Sequence, residues 1–379
     1  MDYWRYELKK RKIKLLVSIL VFMLLISGCS SNETEMNEEN SEIITDEEKF
    51  QVVTTIFAPN DWTKVILGSE IDNWDLTMLL NDGVDLHNYQ PTAADIAKIS
   101  SCDLFIYIGG HSDAWVEDAL KVANNDEMTV IRLMDITSDH LHFEEFVQGM
   151  EAHDHSHAHE SHEDHEDHDH PADHESHEDH GDHDHHAEHE SHEDHDHASE
   201  ADEHIWLSLK NAILCSNAIY EAIISIDPGN QSIYENNVLA YIDELNTLDK
   251  DYSNMVKKSD ISTVIFADRF PFRYLIEDYN LDYYAAFSGC SSDIEASFDT
   301  IIFLADRVDA LELNSIFILE GSDGKIAEAV KENSNNKELK VLEINSMQSI
   351  SKEAIKEGAN YLSLMRDNFK QLDKALIGE

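Results

Sequence analysis

Two apolar periods alternate along this chain. Short runs dense in valine, isoleucine, leucine and phenylalanine are separated by longer segments whose apolar residues recur every three to four positions. The first pattern belongs to strands buried on both faces, the second to helices packed on one side. FQVVTTIF (50–57) predicts a strand, and NDWTKVILG from residue 60 begins a helix. WDLTMLL (74–80) predicts a strand, and PTAADIAKIS (91–100) a helix opened by a capping box of Thr92 and Asp95. DLFIYIGG (103–110), DAWVEDALKVA (113–123) and MTVIRLM (128–134) continue as strand, helix and strand.

Helical periodicity then dominates. HIWLSLKNAILCSNAIYEAIISI runs from residue 204 to a stop at Asp227-Pro228-Gly229, and the segment 230–258 keeps its period for nearly thirty residues without a breaker. Strand and helix alternate again from STVIFA (262–267) through FRYLIEDYN, DYYAAFS, SFDTIIFLADRVDAL, SIFILE, GKIAEAVKEN and KVLEI to NYLSLMRDNFKQLDKAL (360–376). Alternation with short connections implies parallel sheets. The expected fold class is α/β: two (β/α) lobes, 49–229 and 259–379, bridged by a long helix over 230–258. Ligands of such folds bind at the carboxyl ends of the strands, here in the crevice between lobes.

The segment 151–203 interrupts this order. It holds 22 acidic residues and no lysine or arginine, and it contributes heavily to a formal net charge of −51. HESHEDH recurs from His159, His174 and His189. Nothing in the repeat can be buried, so the segment is expected to be disordered without metal. Its chemistry is ligation of divalent cations, through His153, His155, His157, His159, His162, His165, His168, His170, His174, His177, His180, His183, His185, His186, His189, His192, His195 and His197. The acidic balance excludes nucleic acid as a partner, because a phosphate-binding surface must be basic.

The N-terminus is the exception. RYELKKRKIK is basic, LLVSILVFMLLI is apolar, and SGCS follows. This is the layout of an export signal, and the apolar run is short for a membrane span. Ile26-Ser27-Gly28-Cys29 resembles a lipobox. That resemblance implies removal of residues 1–28 and lipidation of Cys29, with the polar stretch 29–48 as a flexible acidic tether. Cys102 and Cys215 sit in apolar patterns and read as small buried hydrophobes; Cys290, in the loop FSGCSSD, stays open.

Outside the tract the histidines are His87, His111, His140, His142 and His204. His87 falls in the loop after the second strand and His204 at a helix start, both at lobe ends where a crevice ligand would stand. The motifs DLHNYQPTAADIAKISSCDLFIYIGG, DEHIWLSLKNA, IDPGNQSIYENN and NYLSLMRDNF resemble those of the solute-binding lipoproteins of zinc and manganese ABC importers, the metal-binding cluster A-I family. The resemblance runs from about Val52 to the C-terminus. It implies His87 and His204 as metal ligands. The family's third histidine position falls here on Arg269, which cannot ligate, so its neighbour Asp268 is the expected third ligand. Glu320, after SIFIL, is the expected fourth.

Two histidines with two carboxylates lean toward manganese, while the imidazole-rich tract leans toward zinc. Zinc is the expected cargo, with manganese as the alternative. The resemblance also implies an importer permease and its ATPase as partners, attachment to the outer face of the cell membrane through lipid, and a monomer. An extracellular zinc buffer or an adhesin is the other reading. No hydrolytic H-E-x-x-H, G-x-S-x-G or P-loop spacing occurs, so no enzymatic activity is expected.

Overall fold

The computed structural model describes residues 49–80, 83–151, 200–291 and 295–378. The expected export signal, Cys29, the tether and all the tract histidines lie outside the described residues. None of the described helices is long and apolar enough to cross a membrane.

In the first lobe, β1 (Phe50–Thr54), β2 (Trp74–Met78), β3 (Leu104–Tyr107) and β4 (Thr129–Arg132) form a parallel sheet in the order β2-β1-β3-β4. The connecting helices are α1 (Phe57–Leu67), α2 (Ala93–Ser101) and α3 (Val116–Lys121), with a short α4 (Leu133–Ile136) after the last strand. β1 ends three residues earlier than its apolar run suggests, and α1 begins at Phe57 rather than Asn60. Pro59 is the reason the two readings diverge. A first helical turn has no intrahelical partner for its N–H groups, so proline there breaks nothing. The capping box is in place: Thr92 Oγ1 accepts from Asp95 N (3.2 Å), and Asp95 accepts from Thr92 N (2.9 Å).

Two long helices follow. α5 (Leu209–Ile226) starts late, because Ser208 caps it by accepting from Asn211 N; residues Ile205–Leu207 form a separate 3-10 turn. α6 (Gln231–Lys258) has 28 residues, roughly 40 Å at about 1.5 Å per residue. Its first half binds the first lobe: Asn237 donates to the Ile66 carbonyl (2.9 Å), and Tyr234 Oη accepts from Trp74 Nε1 (3.1 Å). Its second half binds the other lobe, where Tyr252 donates to the Met365 carbonyl (2.7 Å) and stacks on Tyr279.

The second sheet is also parallel, in the order β6-β5-β7-β8, from β5 (Thr263–Phe270), β6 (Asp282–Ser288), β7 (Ser315–Leu319) and β8 (Lys340–Ile344). Helices α7 (Arg273–Asp278), α8 (Phe298–Ala310), α9 (Lys325–Asn333), α10 (Lys352–Lys356) and α11 (Tyr361–Leu376) complete the lobe. β5 ends three residues beyond its apolar core, and its register with β6 shifts between Phe266 and Arg269. Such an irregularity re-aims side chains at the end of a strand, and here it governs Asp268 and Arg269.

One buried residue ties the lobes at the site. Trp206, fully buried, donates to the Ser346 carbonyl (2.8 Å), and its own carbonyl accepts from Tyr361 Oη (2.7 Å). Truncating a core tryptophan costs about 3–5 kcal/mol, so the segment that carries His204 is held on the loop after β8.

Candidate metal centre

Four chain segments meet where the lobes face each other. His87 stands in a 3-10 turn (Leu86–Asn88) after β2, started by Asp85, whose Oδ1 accepts from His87 N (3.0 Å). The same Asp85 pairs with Arg269 of β5 at 3.2 Å. Arg269 is therefore a lobe-crossing tie to the loop of His87, the role open to a guanidinium that cannot ligate.

His204 is fully buried, and the segment before it is pinned from the second lobe. Tyr274 donates to the Asp202 carbonyl (2.8 Å), and Arg273 Nε stands 3.7 Å from Asp202 Oδ2. Asp202 Oδ1 accepts from both the backbone N (2.8 Å) and Nδ1 (2.7 Å) of His204. Burial lowers the pKa of this imidazole, but the charge and hydrogen bond of Asp202 outweigh it, so the His204 pKa stands above its ordinary value.

Glu203, between these two residues, serves the other histidine. Its Oε1 is 3.0 Å from His87 Nδ1, and it accepts from Ser112 N (3.1 Å) and from the Ser112 hydroxyl. Burial alone would raise the Glu203 carboxyl. The hydrogen bond from His87 and the charges of the two imidazoles hold it down at about 2. Gly110 makes room for this carboxylate, since a Cβ there would overlap the Glu203 side chain.

Both imidazoles thus have Nδ1 turned to a carboxylate, which leaves each Nε2 as the free lone pair. A carboxylate behind a ligating histidine fixes its tautomer and raises its basicity. The two rings meet edge to face, with centroids 5.4 Å apart. Their Nε2 atoms converge on one atom, Gln348 Nε2, at 3.0 Å from His87 and 2.6 Å from His204. The carboxamide N–H groups occupy the point where a cation would use both lone pairs.

Cys290 is the third member. Potential ligand atoms of His87, His204 and Cys290 all lie within 4.8 Å of one another, the one such His/Cys/Asp/Glu group among the described residues. Burial, with Glu144 and Glu203 nearby, pushes the Cys290 thiol far above its usual pKa. A cavity of about 400 Å³, lined among others by His87, Ser112, Glu203, Arg269 and Cys290, opens the group to solvent.

The structure does not bring Asp268 and Glu320 into this group. Both line a separate cavity in the second lobe. Asp268 lies within β5, where β5 and β7 align only at Phe266 and Phe317, and its Oδ2 accepts the Leu319 amide (3.3 Å) while Oδ1 accepts Arg269 N (2.9 Å). Glu320 accepts from Ser346 N (2.8 Å) and the Ser346 hydroxyl (2.6 Å), and burial raises its pKa. It reaches the histidines only at one remove, because Ser346 Oγ stands 3.3 Å from Gln348 Oε1. His111 is exposed at the cavity rim, 4.0 Å from Glu200.

Cys290 was open in the sequence; Asp202, Glu203 and Gln348 carried no distinguishing signal beyond the acidic pair next to His204.

Two parallel-sheet α/β lobes on a long helix, with paired histidines between the sheets, are the architecture of the two-lobed binding-protein fold. Residues 52–375 match the family described as ZnuA, zinc-uptake complex component A, periplasmic, and the chain belongs to that family. The zinc-binding lipoprotein AdcA of Streptococcus pneumoniae is 27% identical over 364 residues, 96% of this chain and 60% of that protein. The chain therefore spans about three fifths of the length of that relative. The high-affinity zinc uptake system protein ZnuA of Bacillus subtilis is 27% identical over 359 residues, covering 95% of this chain and 96% of that protein. The crystal structure of the Zn(II)-bound ZnuA-like domain of S. pneumoniae AdcA superposes with a TM-score of 0.61 at 23% identity, over 87% of this chain and 99% of that domain.

Proposed function

We propose that this chain is an extracytoplasmic zinc receptor that captures Zn2+ between its lobes and delivers it to an ABC importer permease and its ATPase. The observation that carries the reading is the convergence of His87 Nε2 and His204 Nε2 on one point, each ring held from behind by a carboxylate. Neutral imidazole suits zinc. The names of the relatives, zinc-binding lipoprotein and zinc uptake protein, support the same cargo.

His87 and His204 are the nitrogen ligands in this reading. In this reading the centre binds its ion and releases it. Lipidated Cys29 and the 29–48 tether would hold the receptor at the outer membrane face. The tract 151–203 would gather zinc next to His204, one residue beyond its end, and covalent connection would make the transfer intramolecular.

The test is His87→Ala with His204→Ala. Zinc titration of the full chain against a competing chelator should lose its tightest equivalent and keep several weaker ones in the tract. Survival of the tightest equivalent would refute the assignment of the crevice.

A further inference from the structure

We infer that Cys290 is the third protein ligand of the crevice, which then offers two imidazole nitrogens and one thiolate to a thiophilic divalent ion. This inference rests on the reading of the crevice as the zinc site.

The thiol is delivered by a specific device. Cys290 follows β6, and the residue before it is Gly289. A Cβ on Gly289 would stand 2.9 Å from the Phe270 carbonyl oxygen and 3.0 Å from His204 Cε1. Backbone cannot yield there, so only glycine lets the loop lie flat against the His204 ring. The next side chain therefore enters the cavity, and Cys290 Sγ comes within reach of both imidazole donors. The other described cysteines take no part: Cys102 and Cys215 are buried in the first lobe's core and its helix α5.

Charge and chemistry agree with this placement. A dication held by two neutral imidazoles needs an anionic ligand; Asp202 and Glu203 are already bound to the histidine Nδ1 atoms, and Glu144, which also lines the cavity, faces the thiol itself. Among the described residues no third imidazole joins the group, His111 standing at the cavity rim beside Glu200, and Arg269 is engaged with Asp85. The thiol supplies the missing donor and a negative charge together. On binding, the S–H bond is replaced by an S–metal bond and the proton leaves. The cavity that opens the group to solvent gives that proton its way out to water. No electron is transferred and no oxidant is needed. Thiolate and imidazole favour zinc, and other ions with affinity for sulfur, over manganese.

The test uses cobalt(II) as a probe, added to the full chain in detergent. A thiolate-to-cobalt charge-transfer band should grow in the near ultraviolet and saturate at a single equivalent. The tract contains no cysteine, so it is silent in this band. Cys290→Ser should abolish the band while the weaker visible absorption of nitrogen-bound cobalt persists. It should also lower zinc affinity by on the order of a hundredfold, the upper end of the loss seen for outer partners of a metal site, and leave manganese affinity nearly unchanged. A parent without the band, or a Cys290→Ser variant that keeps it, overturns thiolate ligation. If tight cobalt binding in that parent still requires His87 and His204, the receptor reading stands. If tight binding does not depend on those histidines, both fall.

Discussion

Gln348→Glu should tighten zinc binding in the crevice. Gln348 is buried and acts as an internal competitor, donating to His87 Nε2 at 3.0 Å and His204 Nε2 at 2.6 Å. A cation gains those lone pairs only after the carboxamide leaves. Each bond contributes a net of about 0.5–1.5 kcal/mol, so displacement costs about 1–3 kcal/mol. That corresponds to a factor of roughly 5 to 150 in affinity. A carboxylate of the same length removes both donors and places an anionic oxygen at the same reach, itself a good zinc ligand. The gain should therefore equal or exceed that factor at mildly alkaline pH. It should shrink as pH falls, because a carboxylate beside two imidazoles favours their protonated forms. The assay is competition against a chromophoric chelator, following only the tightest equivalent of the full chain. Equal or weaker binding by Gln348→Glu would show that the carboxamide does not stand where zinc binds.

Two further substitutions probe the carboxylates around the site. Asp202→Asn keeps the hydrogen bonds to His204 but removes the charge behind it; zinc affinity should drop about 10- to 100-fold. Asp202 raises the His204 pKa, and protons compete with metal for the imidazole, so the pH at which zinc is released should also move down. An unchanged release profile would count against this role. Asp113→Asn tests burial. Asp113 Oδ2 accepts from Ile108 N (2.8 Å) and Gly109 N (3.0 Å), and Oδ1 has no partner among the described residues. Burial raises its carboxyl from 3.8 to about 6. The folded state thus holds the proton more tightly, and stability from this group is full below about 3.8 and lost as pH rises through about 6. About 2 pH units at 1.36 kcal/mol each give roughly 3 kcal/mol. In denaturant unfolding, Asp113→Asn should be more stable than the parent at pH 7 by up to that amount. The two should converge below about pH 4, and a gap that widens in acid would refute the argument.

Local pattern carried the architecture. Apolar runs with few polar interruptions require strands covered on both faces, and the breaker-free period of 230–258 requires one long helix. Both depend on residues close in sequence, and α6 spans nearly the range that its period predicts. His87 and His204 were legible for a related reason. Each sits beside a recognisable strand end or helix start, which made it a candidate, and the resemblance to the metal-importer receptors singled it out as a ligand. Boundaries were less legible where one residue decides them, as Pro59 and Ser208 do.

The rest of the centre depends on contacts that no local pattern encodes. Gln348 meets His87 across 261 residues and His204 across 144, and SMQS has no periodicity or charge to mark it. Cys290 reaches the histidines because Gly289 lies against a ring whose position is set by another lobe. Asp268 and Glu320 have suitable chemistry and strand-end positions. The irregular register of β5 and the loop after β8 turn their carboxylates to backbone amides instead. Sequence determined which segments end at the crevice; packing between the lobes decided which side chains from those ends converge, since ligand geometry is fixed within an ångström by long-range contacts.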